Sequence, residues 1–204
     1  MLRHVDAFIG VIIYMFLSYA RSVPKRRLAN VFTKRRIAQA NAIVSEPIGG
    51  EVARNECDTN ADTCCLGSNF KVLQFSRRVA DVYAYDQSIR PVENVPIVSG
   101  ATAWDDPSTG TTYLLIFHES LYYGSKLDHS LINPNQIRSY GIDVWDNPFD
   151  KDRDLCIDYD DALINLTSTG TKIFFESRAP TEEELTSCTR IEMTSQSEWN
   201  PESI

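Results

Sequence analysis

The chain has 204 residues, 43% hydrophobic and 24% charged, with a formal net charge of -8. This length suits one ordinary domain with tails, and the composition excludes wholesale disorder and supports a packed core. Five cysteines (Cys57, Cys64, Cys65, Cys156 and Cys188) without CxxC spacing, and only three histidines (His4, His118 and His129), argue against a disulfide framework, a zinc site and Ser-His-Asp chemistry.

Charge is unevenly spread. Among the first 40 residues, Arg3, Arg21, Lys25, Arg26, Arg27, Lys34, Arg35 and Arg36 face a single acid, Asp6, so the remainder is more acidic than the net value suggests. The apolar stretch 8–17, even extended to residue 20, falls short of the ~20 residues that cross a bilayer comfortably. The stronger positive cluster follows it, which favours keeping the downstream chain on the cytosolic side. Membrane anchoring through residues 5–20 is the lesser alternative, and a buried helix the plainest one. The basic run 21–36 can contact nucleic acid weakly through phosphate charge, but without interleaved aromatics it reads first as a solvated tail. Pro47, Gly49 and Gly50 break the chain before the compact region.

From residue 52 onward, short β-like runs alternate with turns. Segments 71–75, 79–85, 92–104 and 111–119 are rich in Val, Ile, Tyr and Phe, and the turns at 86–91 and 105–110 carry Asp, Pro and Gly. Successive antiparallel hairpins are expected. Asn133, Pro134 and Gly141 have the types and spacing of an N-cap, a first helical position and a stop, predicting a short helix between them. Further strands are expected at 155–157 and 172–176, and Thr181 with three glutamates has the composition of a helix start. No internal repeat is present. Asp150, Asp152, Asp154, Asp158, Asp160 and Asp161 lack the glycine and terminal Glu of an EF-hand loop and read as a solvated surface. The Asn165 sequon matters only in a secreted chain. His129 reads as a surface or capping residue, Cys64 and Cys65 as core.

The chemically informative stretch is Cys57-Asp58-Thr59-Asn60-Ala61-Asp62-Thr63-Cys64-Cys65-Leu66-Gly67. The stretch resembles the active-site loop of retropepsins: an aspartate, Thr or Ser, then Gly, Ala and a polar pair leading into an apolar strand. The resemblance implies two carboxylates held about 3 Å apart, which cannot both stay ionised, so that one activates water while its protonated neighbour polarises a scissile carbonyl. One chain with one such loop supplies half of the pair. Asn60 stands where glycine is usual, and asparagine is the commonest substitute where a turn needs positive φ.

Residues 114–118 followed by 128–141 are similar to the closing segment of copia-type retrotransposon proteases, where an apolar strand leads into a short helix flanking the catalytic loop. The resemblance spans about residues 54–145. It implies an all-β fold: a small closed β-barrel with a flap hairpin and one short helix. It implies that Asp58 is catalytic, that Thr59 braces two loops across a dimer axis, that Asp62 bonds substrate main chain, and that Ala61 is small where peptide approaches. Thr63 completes the loop, and Tyr85, Asp86, Gln87 and Ser88 would form the substrate-covering flap. No metal or cofactor is implied.

The expected organisation is an apolar then basic extension over 1–45, a protease-like domain over 46–146, and an acidic continuation of a polyprotein over 147–204. The expected function is cytoplasmic processing of a Gag-Pol polyprotein, within a virus-like particle, by a homodimer acting on polypeptide. The alternative is a degenerate relic that serves as a dimerisation or binding module.

Overall fold

A computed structural model describes residues 19–22, 51–83, 88–160 and 162–203. The expectations placed on the apolar stretch 8–17, on most of the basic run 21–36, on Tyr85, Asp86 and Gln87, and on Asp161 lie outside these residues. Among the described residues, no helix is long and apolar enough to cross a membrane.

The protein is mostly β. The strands are β1 (Tyr19–Ser22), β2 (Ala53–Cys57), β3 (Cys65–Gly67), β4 (Lys71–Tyr83), β5 (Val92–Asp105), β6 (Thr112–Gly124), β7 (Ser130–Ile132), β8 (Asp143–Trp145), β9 (Cys156–Tyr159), β10 (Ala162–Asn165), β11 (Thr167–Thr169), β12 (Lys172–Ser177) and β13 (Thr189–Glu192). Among the described residues, two short helices, α1 (Pro134–Ser139) and α2 (Glu182–Ser187), interrupt them, and a 3-10 turn follows at Pro201–Ser203. The main sheet has the order β1-β4-β5-β6-β3-β7-β2-β12-β11, with β13 also paired to β6, and β10-β9-β8 form a second, smaller sheet.

The expected closed barrel is not formed among the described residues. Closure needs the two terminal strands of a sheet to pair with each other, and here β1 pairs with β4 and β11 with β12 while no pairing among the described residues joins β1 to β11. The segment beyond residue 147 is woven into this sheet: β12 pairs antiparallel with β2, and β13 pairs parallel with β6.

The runs 71–75 and 79–85 belong largely to one long strand, β4. Its register against β5 breaks between Phe75 and Val79, where Arg77 takes φ +66°, and the β5/β6 register breaks between Val98 and Gly100, opposite Glu119 at φ +51°. Bulges on β4 and β6, at neighbouring points on either side of β5, bend the sheet. The two halves of each long strand therefore serve different clusters. On one side of the bend, Phe70, Leu115, Phe117, Ile132, Ile137 and Ile157 join the main core. On the other, Ala80, Val82, Val95, Ile97 and Leu121 pack with Cys65, Leu127 and Leu131.

The middle of β6 is apolar at four consecutive positions, Leu114 to Phe117, because both faces are covered. Leu115 and Phe117 enter the main core, while Leu114 and Ile116 pack with Ala101, Ala103, Leu185 and Cys188 under α2. Full burial of each side chain contributes about 1.5–3 kcal/mol.

Helix α1 forms as its punctuation predicts. The Asn133 side chain accepts from the Asn135 N–H, Pro134 takes the first position, and Gly141 at φ +95° ends the turn. Helix α2 opens with a reciprocal capping box between Thr181 and Glu184.

Candidate active site

β2 runs parallel to β7, and β3 runs antiparallel on the other side of β7. The loop 58–64 must therefore leave β2, pass across the end of β7 and re-enter as β3. It is fixed at the start by the Asp58 N–H, which donates to the Ile132 carbonyl at 2.9 Å. A tight turn follows, in which the Ala61 N–H donates to the Asp58 carbonyl at 3.3 Å and the Asn60 N–H donates to Asp58 Oδ1 at 2.9 Å. Backbone groups thus set the direction of the Asp58 side chain, which is half-buried, while Thr59 and Asn60 at the tip are exposed.

Asn60 is not among the residues of positive φ, so it occupies the expected glycine position without left-handed strain. The turn closes through the Asp58 carboxylate instead, as an Asx turn. Ala61 is buried at 2% exposure and Thr63 at 8%, whereas Asp62 is half-buried.

The second half of the loop is braced from α1. The Asp62 carbonyl accepts from Asn133 Nδ2 at 3.1 Å, and Gln136 Oε1 accepts from the Cys64 N–H at 3.0 Å. Gln136 Nε2 in turn donates to the carbonyls of His118 and Glu119 on β6, at 3.2 and 3.3 Å. A third brace comes from far along the chain: Trp199 Nε1 donates to the same Asp62 carbonyl at 2.8 Å. The exit is tight as well. The Gly67 N–H donates to Ser130 Oγ at 2.9 Å, and a Cβ on Gly67 would come within 2.4 Å of the Leu127 carbonyl oxygen.

The surroundings of the loop are apolar. Burial first, then the neighbouring Asp146 and Cys64, push the Cys57 thiol up to about 12, and burial pushes Cys64 to about 12 and Cys65 well above its ordinary value. These thiols stay protonated and pack as small hydrophobes rather than acting as nucleophiles or ligands.

The expected flap corresponds to the tip of the β4–β5 hairpin, whose last recorded pair is Val82 opposite Val92. Ser88 lies in its described part; Tyr85, Asp86 and Gln87 do not. His129 Nδ1 meets Asp128 Oδ1 at 2.8 Å. Among the described residues, no group of three or more His, Cys, Asp or Glu side chains is arranged to hold a metal ion.

Asn133 was legible as a helix cap but not as a brace of the loop. Gln136 carried one signal: a polar residue next to Ile137 on the inward side of a short amphipathic helix, where only a partnered amide is tolerated. Trp199 carried none, because its partner lies 137 positions away. Comparisons with protein-family models, with curated proteins and with solved structures find no match for this chain.

Proposed function

We propose that this chain is an aspartic endopeptidase of the copia-type retrotransposon kind. It would act as a homodimer, each copy contributing Asp58, and would process extended polypeptide such as its own Gag-Pol polyprotein. The observation that carries this reading is the loop 58–64 itself. It joins β2 to β3 across β7, holds its aspartate by backbone bonds at the start and by α1 at the end, and offers the exposed tip residues Thr59 and Asn60 to a second copy. The strand-to-helix sequence β7–α1 beside the loop is what the resemblance leads one to expect.

On this reading the fold is a retropepsin-like one elaborated by β8 to β13, and the β4–β5 hairpin is the flap. Two Asp58 carboxylates at the dimer axis share one proton. The ionised member takes a proton from water, the protonated member polarises the scissile carbonyl, and the peptide is held by added β-pairing under the hairpin. The chain works in the cytoplasm, inside the particle built by the same polyprotein.

The test is cleavage of a polyprotein-derived peptide by the full chain, compared with Asp58→Asn, with and without a pepstatin-type inhibitor. Cleavage that is lost in Asp58→Asn and in the inhibited sample supports the reading. Equal rates for wild type and Asp58→Asn, or a pH optimum well above neutrality, overturn it. A folded dimer that cuts nothing leaves a non-catalytic dimerisation module.

A further inference from the structure

The segment after β13 runs along β6 to the candidate loop, and polar contacts fasten it throughout. β6 offers one edge to β5. Its other edge is shared by β13, opposite residues 113–116, and β3, opposite 121–124. Between them lies the stretch around His118 and Glu119, where none of the described strands supplies partners on this edge and the backbone groups need others.

Thr194 fills that gap from one side. Its hydroxyl accepts from the His118 N–H at 2.7 Å and donates to the His118 carbonyl at 3.0 Å, with Thr194 buried at 1% exposure. Gln136 fills it from the other side. His118 binds Glu192 Oε2 through Nε2 at 2.5 Å and Ser99 Oγ through Nδ1 at 2.8 Å, tying β13 to β6 and β5.

Beyond Thr194, Arg78 reaches over β5 to pair with Glu119 and lies 3.4 Å from Glu198. Glu119 Oε2 also accepts from the Trp199 N–H at 3.3 Å, and the Trp199 indole then donates to the Asp62 carbonyl. An ion-paired, largely buried carboxylate thus fixes the backbone of the residue whose side chain holds the loop.

We propose that residues 193–199 are a positioning strap for the candidate active site, with Trp199 as the positioning residue and Arg78–Glu119–Glu198 as the latch that sets it. The part of this inference that concerns turnover rests on the aspartic-protease reading; the part that concerns the loop does not. With two donors on one carbonyl, the Asp62 peptide plane has a fixed orientation relative to α1, and the turn that aims Asp58 is held from its downstream side.

The test uses full-length Trp199→Phe, which keeps a ring and loses the indole N–H, and Arg78→Met, which removes the latch without touching the indole. Hydrogen exchange of the 58–64 amides and steady-state cleavage are read in both. The strap predicts that exchange across 58–64 quickens about tenfold in both variants while β9 and β10 are unaffected. It also predicts that kcat falls by about ten- to a hundredfold with KM nearly unchanged. Unchanged exchange in Trp199→Phe overturns the proposal. So does a kcat that holds or rises with a lower KM, since the segment would then be covering the site rather than positioning it. If the wild type cuts nothing, the protease reading has failed, and the exchange result alone decides the strap.

Discussion

Gln136 and Cys64 are 72 positions apart and meet through a single amide: Gln136 Oε1 accepts from the Cys64 N–H at 3.0 Å while Nε2 donates to two β6 carbonyls. All four groups belong to buried residues. Replacing Gln136 with Leu retains the bulk and removes every one of these bonds, leaving a buried donor and weakened acceptors. The expected cost is about 1–3 kcal/mol, read as a lower urea midpoint at constant m-value. Gln136→Glu keeps the acceptor and loses the donors, so it should also destabilise, and more at neutral pH than at acidic pH, where a protonated carboxyl can donate again. A stability equal to wild type in Gln136→Leu would show that the Gln136 amide is not what ties the loop to α1 and β6.

Asn60 should not behave as a strained substitute for glycine. Its φ is not positive, and its N–H closes the Asx turn on Asp58 Oδ1 at 2.9 Å. Asn60→Gly therefore relieves nothing and adds chain entropy to the unfolded state. It should lower stability by about 0.5–1 kcal/mol. A rise in melting temperature in Asn60→Gly would contradict this account.

What could be read in the sequence divides along the same physical line. Helix α1 was legible because its signals are local: Asn133 caps, Pro134 starts and Gly141 stops within nine residues. The two apolar runs that flank Arg77 in β4, and the apolar centres of β5 and β6, were legible from composition. The joining of 71–75 and 79–85 into one strand was not, because a bulge around Arg77 looks like a break when the partner strand is unseen. β13 and Trp199 sit in a polar, acidic stretch. They are held by Tyr113 to Ile116 and by Asp62, so no periodicity near them announces the pairing. At the candidate site, the loop residues carried their own signature, while all three braces, Asn133, Gln136 and Trp199, act across long sequence separations.

Acid should loosen the α2 edge. Bonds from Arg178, outweighing the desolvation that opposes them, hold Glu184 down at about 2, and the Thr181 N–H adds to them. Asp105 is desolvated, which raises it, yet bonds from Arg178 and Thr112 leave it below its ordinary value. Both folded-state values are depressed. Their contribution is therefore present above the unfolded carboxylate range and is lost as pH falls from about 4.5 toward 2. Arg178→Met should flatten this acid limb and cost most at neutral pH, as measured by denaturation midpoints between pH 2 and 7. An unchanged acid limb in that variant would show that the Arg178 bonds are not the cause.

Gly67→Ala is expected to be the most damaging small change near the loop, for a reason different from the usual one. Gly67 has no positive φ that favours glycine; the obstacle is space. The added methyl would lie 2.4 Å from the Leu127 carbonyl oxygen and 3.0 Å from that of His129, and both atoms are backbone. The Ser68 N–H donates to the same Leu127 carbonyl, and Gly67 N–H is held by Ser130 Oγ, so neither side can yield without breaking a bond that seats β3. Such overpacking costs about 1–3 kcal/mol. Because β3 is the downstream anchor of 58–64, the loss should also appear as faster exchange of the loop amides. Gly110→Ala provides the contrast. Gly110 sits at φ +71° with nothing within 4 Å, so any penalty there comes from backbone conformation and should leave the loop amides unchanged. If the two variants quicken loop exchange equally, close approach at Gly67 is not what holds β3 in place.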